Sequence, residues 1–133
     1  MSLAVVDASV LVAFYAAEDP RRAAVAARLA IGDALFAPAH LDVEIVSALR
    51  GLSRPNSTLC AAVPAALRHL AGFPIRRMPL AQVLQRIWEL RDNLTAYDAG
   101  YVALAERLEA PLITCDAKLV GANGSRCRFD LIT

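Results

Sequence analysis

Four acidic residues, Asp7, Glu44, Asp98 and Asp116, stand where the side chains of a small α/β protein can meet. Asp7 closes the apolar run Leu3-Ala4-Val5-Val6, and Asp116 follows Pro111-Leu112-Ile113-Thr114. Both runs are too short for a helix and read as buried strands. Asp98 opens a helical repeat. Glu44 borders the apolar stripe of another, a place where a carboxylate is rare unless paired or liganded. Sites in open α/β sheets collect at the carboxyl ends of strands, and parallel connection brings Asp7 and Asp116 to one edge. Gathered in a dry cleft, four carboxylates raise one another's pKa values unless a divalent cation offsets their charge. Oxygen donors without His or Cys select hard cations such as Mg2+ or Mn2+, which keep waters and take phosphate ligands. Hydrolysis of a phosphodiester by metal-activated water is the chemistry that follows.

The elements that position these acids can be taken in order. After the first strand, Asp7-Ala8-Ser9 turns into a helix that begins Val10-Leu11-Val12-Ala13-Phe14-Tyr15. Ser9 is read as its cap, which leaves Asp7 free for another task. Asp19 and Pro20 start a packing helix over Arg21–Ala30, and Ala34–Pro38 is a second strand. In the helix Leu41–Arg50, residues Leu41, Ile45, Ala48 and Leu49 share one face with Glu44 beside it, and Asp42 complements the helix dipole. Ser57 caps a helix through Leu70, with Pro64 inside it as a point for a kink. Ile75–Met78 alternates as a strand.

Leu80–Asn93 is a helix with Val83, Leu84, Ile87 and Leu90 facing the core, and Trp88 is assigned to core or interface. His40 and His69 are read as structural. From Tyr97 to Leu108, residues Tyr97, Tyr101, Leu104, Ala105 and Leu108 form one helical face. Ala117–Val120 is a short helix, and Cys127–Ile132 alternates as a last strand. Strands alternating with helices give an α/β fold with a largely parallel sheet.

At 133 residues the chain is expected to form one domain. Its 57% hydrophobic and 20% charged residues exclude a disordered composition, and no uncharged apolar run is long enough to cross a bilayer. Asp7 interrupts the opening apolar segment, which lacks a basic start and is read as a strand, not an export signal. With a net charge of +1, nucleic acid must be engaged by a local cluster of positive groups. The single lysine among 14 basic residues is put down to genome composition. Three widely spaced cysteines, Cys60, Cys115 and Cys127, suit neither a zinc site nor a disulfide framework and place the protein in a reducing cytoplasm.

Taken together, Asp7-Ala8-Ser9, Leu41-Asp42-Val43-Glu44-Ile45, the stretch from Thr95 to Ala105 and Thr114-Cys115-Asp116 resemble the PIN domain. The likeness is specifically to the VapC toxins of bacterial toxin-antitoxin pairs, and it spans essentially the whole chain. It implies an α/β, PIN-like fold with a largely parallel central sheet flanked by helices, one PIN domain over residues 1–133. It also implies a Mg2+-dependent endoribonuclease, with Mn2+ as a substitute, whose metal-holding and catalytic quartet is Asp7, Glu44, Asp98 and Asp116. The fourth acid varies most in the family and implies binding through water. Ser9, Thr95 and Thr114 match positions that orient carboxylates or water. A homodimer is implied, as is a VapB-type antitoxin that lies across the toxin, partly over residues 50–70, and places a basic side chain in the acidic pocket.

Two rival readings remain at this level. In a receiver-like phosphoacceptor domain, Asp7 or Asp116 would bind Mg2+ and take a phosphoryl group beside Thr114 and Lys118, leaving Glu44 and Asp98 without a task. A non-catalytic PIN scaffold would not need all four acids.

Overall fold

The computed structural model describes residues 2–133. Five strands form one sheet: β1 (Leu3–Val6), β2 (Ala34–Pro38), β3 (Ile75–Met78), β4 (Leu112–Thr114) and β5 (Phe129–Leu131). Their order is β3-β2-β1-β4-β5, and every neighbouring pair is parallel. The largely parallel sheet expected from the sequence is wholly parallel. β1 is central, pairing Leu3 with Ala34 on one side and Val5 with Leu112 on the other. A strand covered on both faces must be apolar on both, and Ala4, Val5 and Val6 are fully buried. From β1 the chain winds outward through β2 and β3, then returns to the other side for β4 and β5. The gap between β1 and β4 is therefore the point where the winding reverses, the place where such sheets leave a crevice at their carboxyl ends.

Six helices flank the sheet: α1 (Ala8–Tyr15), α2 (Arg22–Leu29), α3 (Leu41–Ser53), α4 (Ser57–Ala71), α5 (Leu84–Glu89) and α6 (Ala96–Leu108). Leu41, Ile45 and Leu49 of α3 are fully buried, each contributing about 1.5–3 kcal/mol by leaving water. Glu44 precedes Ile45 on the rim of that stripe. Asp42 does more than complement a helix dipole. Arg77 of β3 grips it with a two-pronged bond, Nη2 to Oδ1 at 3.0 Å and Nε to Oδ2 at 3.2 Å, and also donates to the carbonyls of Leu70, Phe73 and Ile75. One guanidinium thus ties α3 to the end of α4 and the start of β3. Arg77→Ala is expected to cost about 2 kcal/mol, read as a lower thermal midpoint with an unchanged far-ultraviolet spectrum.

Several local expectations are corrected. α1 begins at Ala8 with Asp7 in the cap position, so Ser9 lies inside the first turn and does not cap it. Asn56, not Ser57, caps α4, its side chain accepting from Leu59 N, and the helix runs unbroken past Pro64. α2 begins at Arg22, and Asp19 accepts from Arg21 N in the turn before it. Leu80–Asn93 is not one helix. A 3-10 turn at Ala81–Val83 precedes α5, and its tighter winding shifts the phase of the apolar stripe. Val83 and Leu90 go inward while Leu84 and Trp88 stand 60% and 64% exposed, Trp88 under the guanidinium of Arg91.

α6 is buried nearly all round from Ala99 to Ala105, because it packs between β1, β2, β4 and α5, and small residues let these neighbours close on it. Tyr97 precedes that stretch and is exposed rather than part of a core face. Ala117–Val120 is a turn, not a helix, since the carboxylate and carbonyl of Asp116 take the amides of Lys118 and Leu119. The three cysteines are free. No helix among the described residues is long and apolar enough to cross a membrane.

Candidate active site

Asp7, Glu44, Asp98 and Asp116 line a single open depression of about 310 Å3, together with Ala8, Ser9, Val12, Arg21 and Ala48. All four acids singled out in the sequence meet there. Each is delivered by a different element: Asp7 follows β1 directly, Asp116 lies two residues past β4, α3 carries Glu44 in its first turn, and α6 carries Asp98 in its own.

Asp7 is the most buried, at 6% exposure, and its side chain makes no capping bond to α1. Its Oδ2 instead accepts from Ser9 Oγ at 2.8 Å and from Thr114 Oγ1 at 2.7 Å. Both hydroxyls are themselves held, Ser9 Oγ accepting from Cys115 N and Thr114 Oγ1 from Asp116 N. This lattice sews the end of β1 to the end of β4. Ser9 and Thr114 both hydrogen-bond the Asp7 carboxylate, whereas Thr95 caps α6, accepting from Asp98 N at 3.2 Å. Asp116 Oδ1 is engaged by Lys118 N at 2.9 Å.

Glu44 has two partners that the sequence reading passes over. Tyr101 Oη donates to Glu44 Oε1 at 2.7 Å, and His40 Nε2 lies 3.2 Å from the same oxygen. Helical spacing marks Tyr101 only as a core residue, and His40 reads only as structural. The one signal that points to this cluster is the four-residue spacing of His40 and Glu44 on one helical face. Gly100 makes room for the arrangement, since a Cβ there would stand 2.9 Å from His40 Cε1 and 3.0 Å from Leu80 Cδ1. Arg21, also missed, sits at the rim with its guanidinium locked to Asp19 and donating to Cys115 O.

Burial pushes the Asp7 carboxyl above its ordinary range, against the pull of the Thr114 and Ser9 hydroxyls. Asp98 is raised first by burial and then by the charges of Asp7, Glu44 and Asp116. An acid whose folded-state pKa is raised contributes stability below its unfolded value near 3.8, and that contribution is lost as pH rises through the folded value. Asp98→Asn is therefore expected to gain stability relative to the parent, without added metal, as pH climbs from about 4 toward neutral. Thermal midpoints of the two proteins across that window check the sign.

The donor set suits a small hard cation. It is all oxygen, crowded, and charged enough that Asp7, Glu44 and Asp116 add to the burial that raises the pKa of Asp98. Among the described residues no three acidic, histidine or cysteine side chains close on one point tightly enough to grip an ion by direct bonds alone. That spacing fits a cation which keeps part of its water shell and takes one or two carboxylates directly.

An all-parallel sheet of this order, with four acids at its point of reversal, is the architecture of a PIN domain, and residues 4–123 match the profile of that family. The chain is similar to the ribonuclease VapC3 of Mycobacterium tuberculosis, 43% identical over 118 residues that cover 89% of this chain and 85% of that protein. A solved structure from Pyrobaculum aerophilum superposes with a TM-score of 0.66 at 26% identity, over 98% of this chain and 84% of the other. VapBC2 of Rickettsia felis, solved bound to a promoter DNA fragment, shares the fold with a TM-score of 0.66 at 11% identity, over 98% and 99% of the two chains. The chain belongs to the PIN-domain family and, within it, to the VapC ribonucleases.

Proposed function

We propose that the protein is a Mg2+-dependent endoribonuclease, the toxin of a type II toxin-antitoxin pair acting in the cytoplasm. The observation that carries this reading is the convergence of Asp7, Glu44, Asp98 and Asp116 on one depression in a chain whose relatives are ribonucleases. Asp7, Glu44 and Asp98 would hold the cation, one or two of them directly and the rest through its water shell, with Asp116 acting through water, and Mn2+ would serve in place of Mg2+. The bound cation would supply water activation and offset charge developing on the phosphate. The chain's own residues do the rest. Ser9 and Thr114 hold Asp7 through Oδ2, which fixes the orientation of its carboxylate. Arg21, held by Asp19, offers a guanidinium edge at the rim where an RNA phosphate would enter.

The partner in this reading is a VapB-type antitoxin. A largely apolar hollow of about 100 Å3, lined by Tyr15, Ala16, Ala17, Leu59 and Ala62 and also by Glu18, Asn56 and Thr58, lies at the far end of α1 from the acids, its α4 side within the expected groove on residues 50–70. A homodimer belongs to the same reading, with Leu84 and Trp88 the exposed apolar side chains that a second copy would cover. Incubating purified protein with total RNA, with Mg2+ or with a chelator, and sequencing the new 5′ ends tests the proposal. Cleavage at discrete positions only with Mg2+ supports it, and metal-independent or absent cleavage overturns it. A receiver-like reading gives Glu44 and Asp98 no work, although the structure brings both to the same depression.

A further inference from the structure

Glu44 does not meet the depression as a free carboxylate. Its Oε1 takes the Tyr101 hydroxyl at 2.7 Å and faces His40 Nε2 at 3.2 Å. His40 Nε2 is also 3.2 Å from the carbonyl oxygen of Tyr97. The carbonyl of Tyr97 can only accept, so Nε2 carries the ring proton and donates it there, with Glu44 Oε1 lying beside the N–H. Tyr101 is fully buried, and its ring packs edge-on against the imidazole with centroids 5.1 Å apart, so neither donor is free to leave. The pinned oxygen leaves Oε2 as the atom Glu44 can present. Asp7 shows the same division, with Oδ2 taken by two hydroxyls, and Asp116 has Oδ1 taken by an amide.

A carboxylate oxygen that already accepts a hydrogen bond is the weaker donor to a cation, so such a group favours binding through its other oxygen. Mg2+ and Mn2+ accept that geometry in a compact octahedral shell, whereas Ca2+ is larger, takes more oxygens and favours carboxylates that offer both. We infer that Tyr101 and His40 are positioning residues that hold Glu44 in a one-oxygen presentation, so that the site discriminates Mg2+ and Mn2+ from Ca2+. The inference rests on the cation reading of the acidic depression and adds to it which residues set the selectivity.

The test measures binding of the metals themselves, without RNA. Mn2+ affinity is read from the free-ion electron paramagnetic resonance signal and Ca2+ affinity from calorimetry, for the parent, Tyr101→Phe, His40→Leu and His40→Gln. Tyr101→Phe keeps the buried ring and removes the hydroxyl. It should weaken Mn2+ by about ten- to a hundredfold, the usual effect of losing a group that orients a ligand. Ca2+ should weaken less or tighten, so the ratio of the two affinities falls by about tenfold or more. His40 is partly exposed, and His40→Leu should shift the ratio the same way. His40→Gln, which restores an N–H near the place of Nε2, should recover it. If the parent binds Mn2+ and neither Tyr101→Phe nor His40→Leu changes its affinity or its preference over Ca2+, the positioning role is overturned while the cation site stands. A parent that binds no Mn2+ removes the site and the positioning roles together.

Discussion

Asp98→Asn is expected to lower RNA cleavage by roughly 10²- to 10³-fold, the scale on which loss of one charge-stabilising group is felt, while the protein remains folded. The exchange keeps the size of the side chain and the N-terminal turn of α6, whose cap bond runs from the Asp98 amide to Thr95 and does not use the carboxylate. It removes the charge that Asp7, Glu44 and Asp116 press against. The same substitution therefore relieves repulsion and disables the site, so activity falls while stability without metal at neutral pH holds or rises. Mere misfolding would lower both. An Asp98→Asn variant cleaving at the parent's rate in Mg2+ would show that the carboxylates do not hold the reactive cation.

The second large effect concerns regulation. A peptide carrying an apolar anchor and an Arg or Lys is expected to bind across α1, its anchor in the Tyr15–Leu59 hollow and its cation among the acids. The first turn of α1 lines the acidic depression and its last residue lines the hollow, and at 1.5 Å per residue the two lie about 10 Å apart, three or four extended residues of a partner. Mg2+ and the partner's cation then compete for one place, and by linkage each weakens the other by the same factor. Mg2+ at ten times its own Kd should weaken the antitoxin segment about tenfold. Fluorescence anisotropy of a labelled segment, titrated at rising Mg2+ with ionic strength held by monovalent salt, measures this. An affinity indifferent to Mg2+ would mean that the partner covers the RNA surface and leaves the carboxylates untouched.

The strands and the quartet are legible because both depend on short-range facts. A four-residue apolar run ending in Asp announces a buried strand and a residue at its mouth, as at Val6-Asp7 and at Thr114-Cys115-Asp116. Glu44 is visible as a charge on the rim of an apolar stripe. The misreadings come from tertiary context that no local pattern holds. Tyr97 and Tyr101 are one helical turn apart, yet only the second lies under the sheet, and Leu84 and Trp88 face outward because three residues of 3-10 winding precede them. Ser9 has the type and place of a cap, and its hydroxyl instead spans 106 positions of sequence to Cys115 N. Tyr101 and His40 escape notice for a related reason, since a buried ring announces packing and nothing in its spacing reveals where a hydroxyl will point.

The bond from Thr114 to Asp7 joins residues 107 positions apart, and β4 must slot in beside β1 before that bond exists. A nascent chain therefore lacks the bond that fixes Asp7 until Thr114 has been added and β4 has docked. Fragments from truncated messages that stop short of β4 carry Asp7, Glu44 and Asp98 without the strand that fixes the first of them. On the proposed reading, activity waits on the docking of β4 beside β1 and not on the presence of the acids alone.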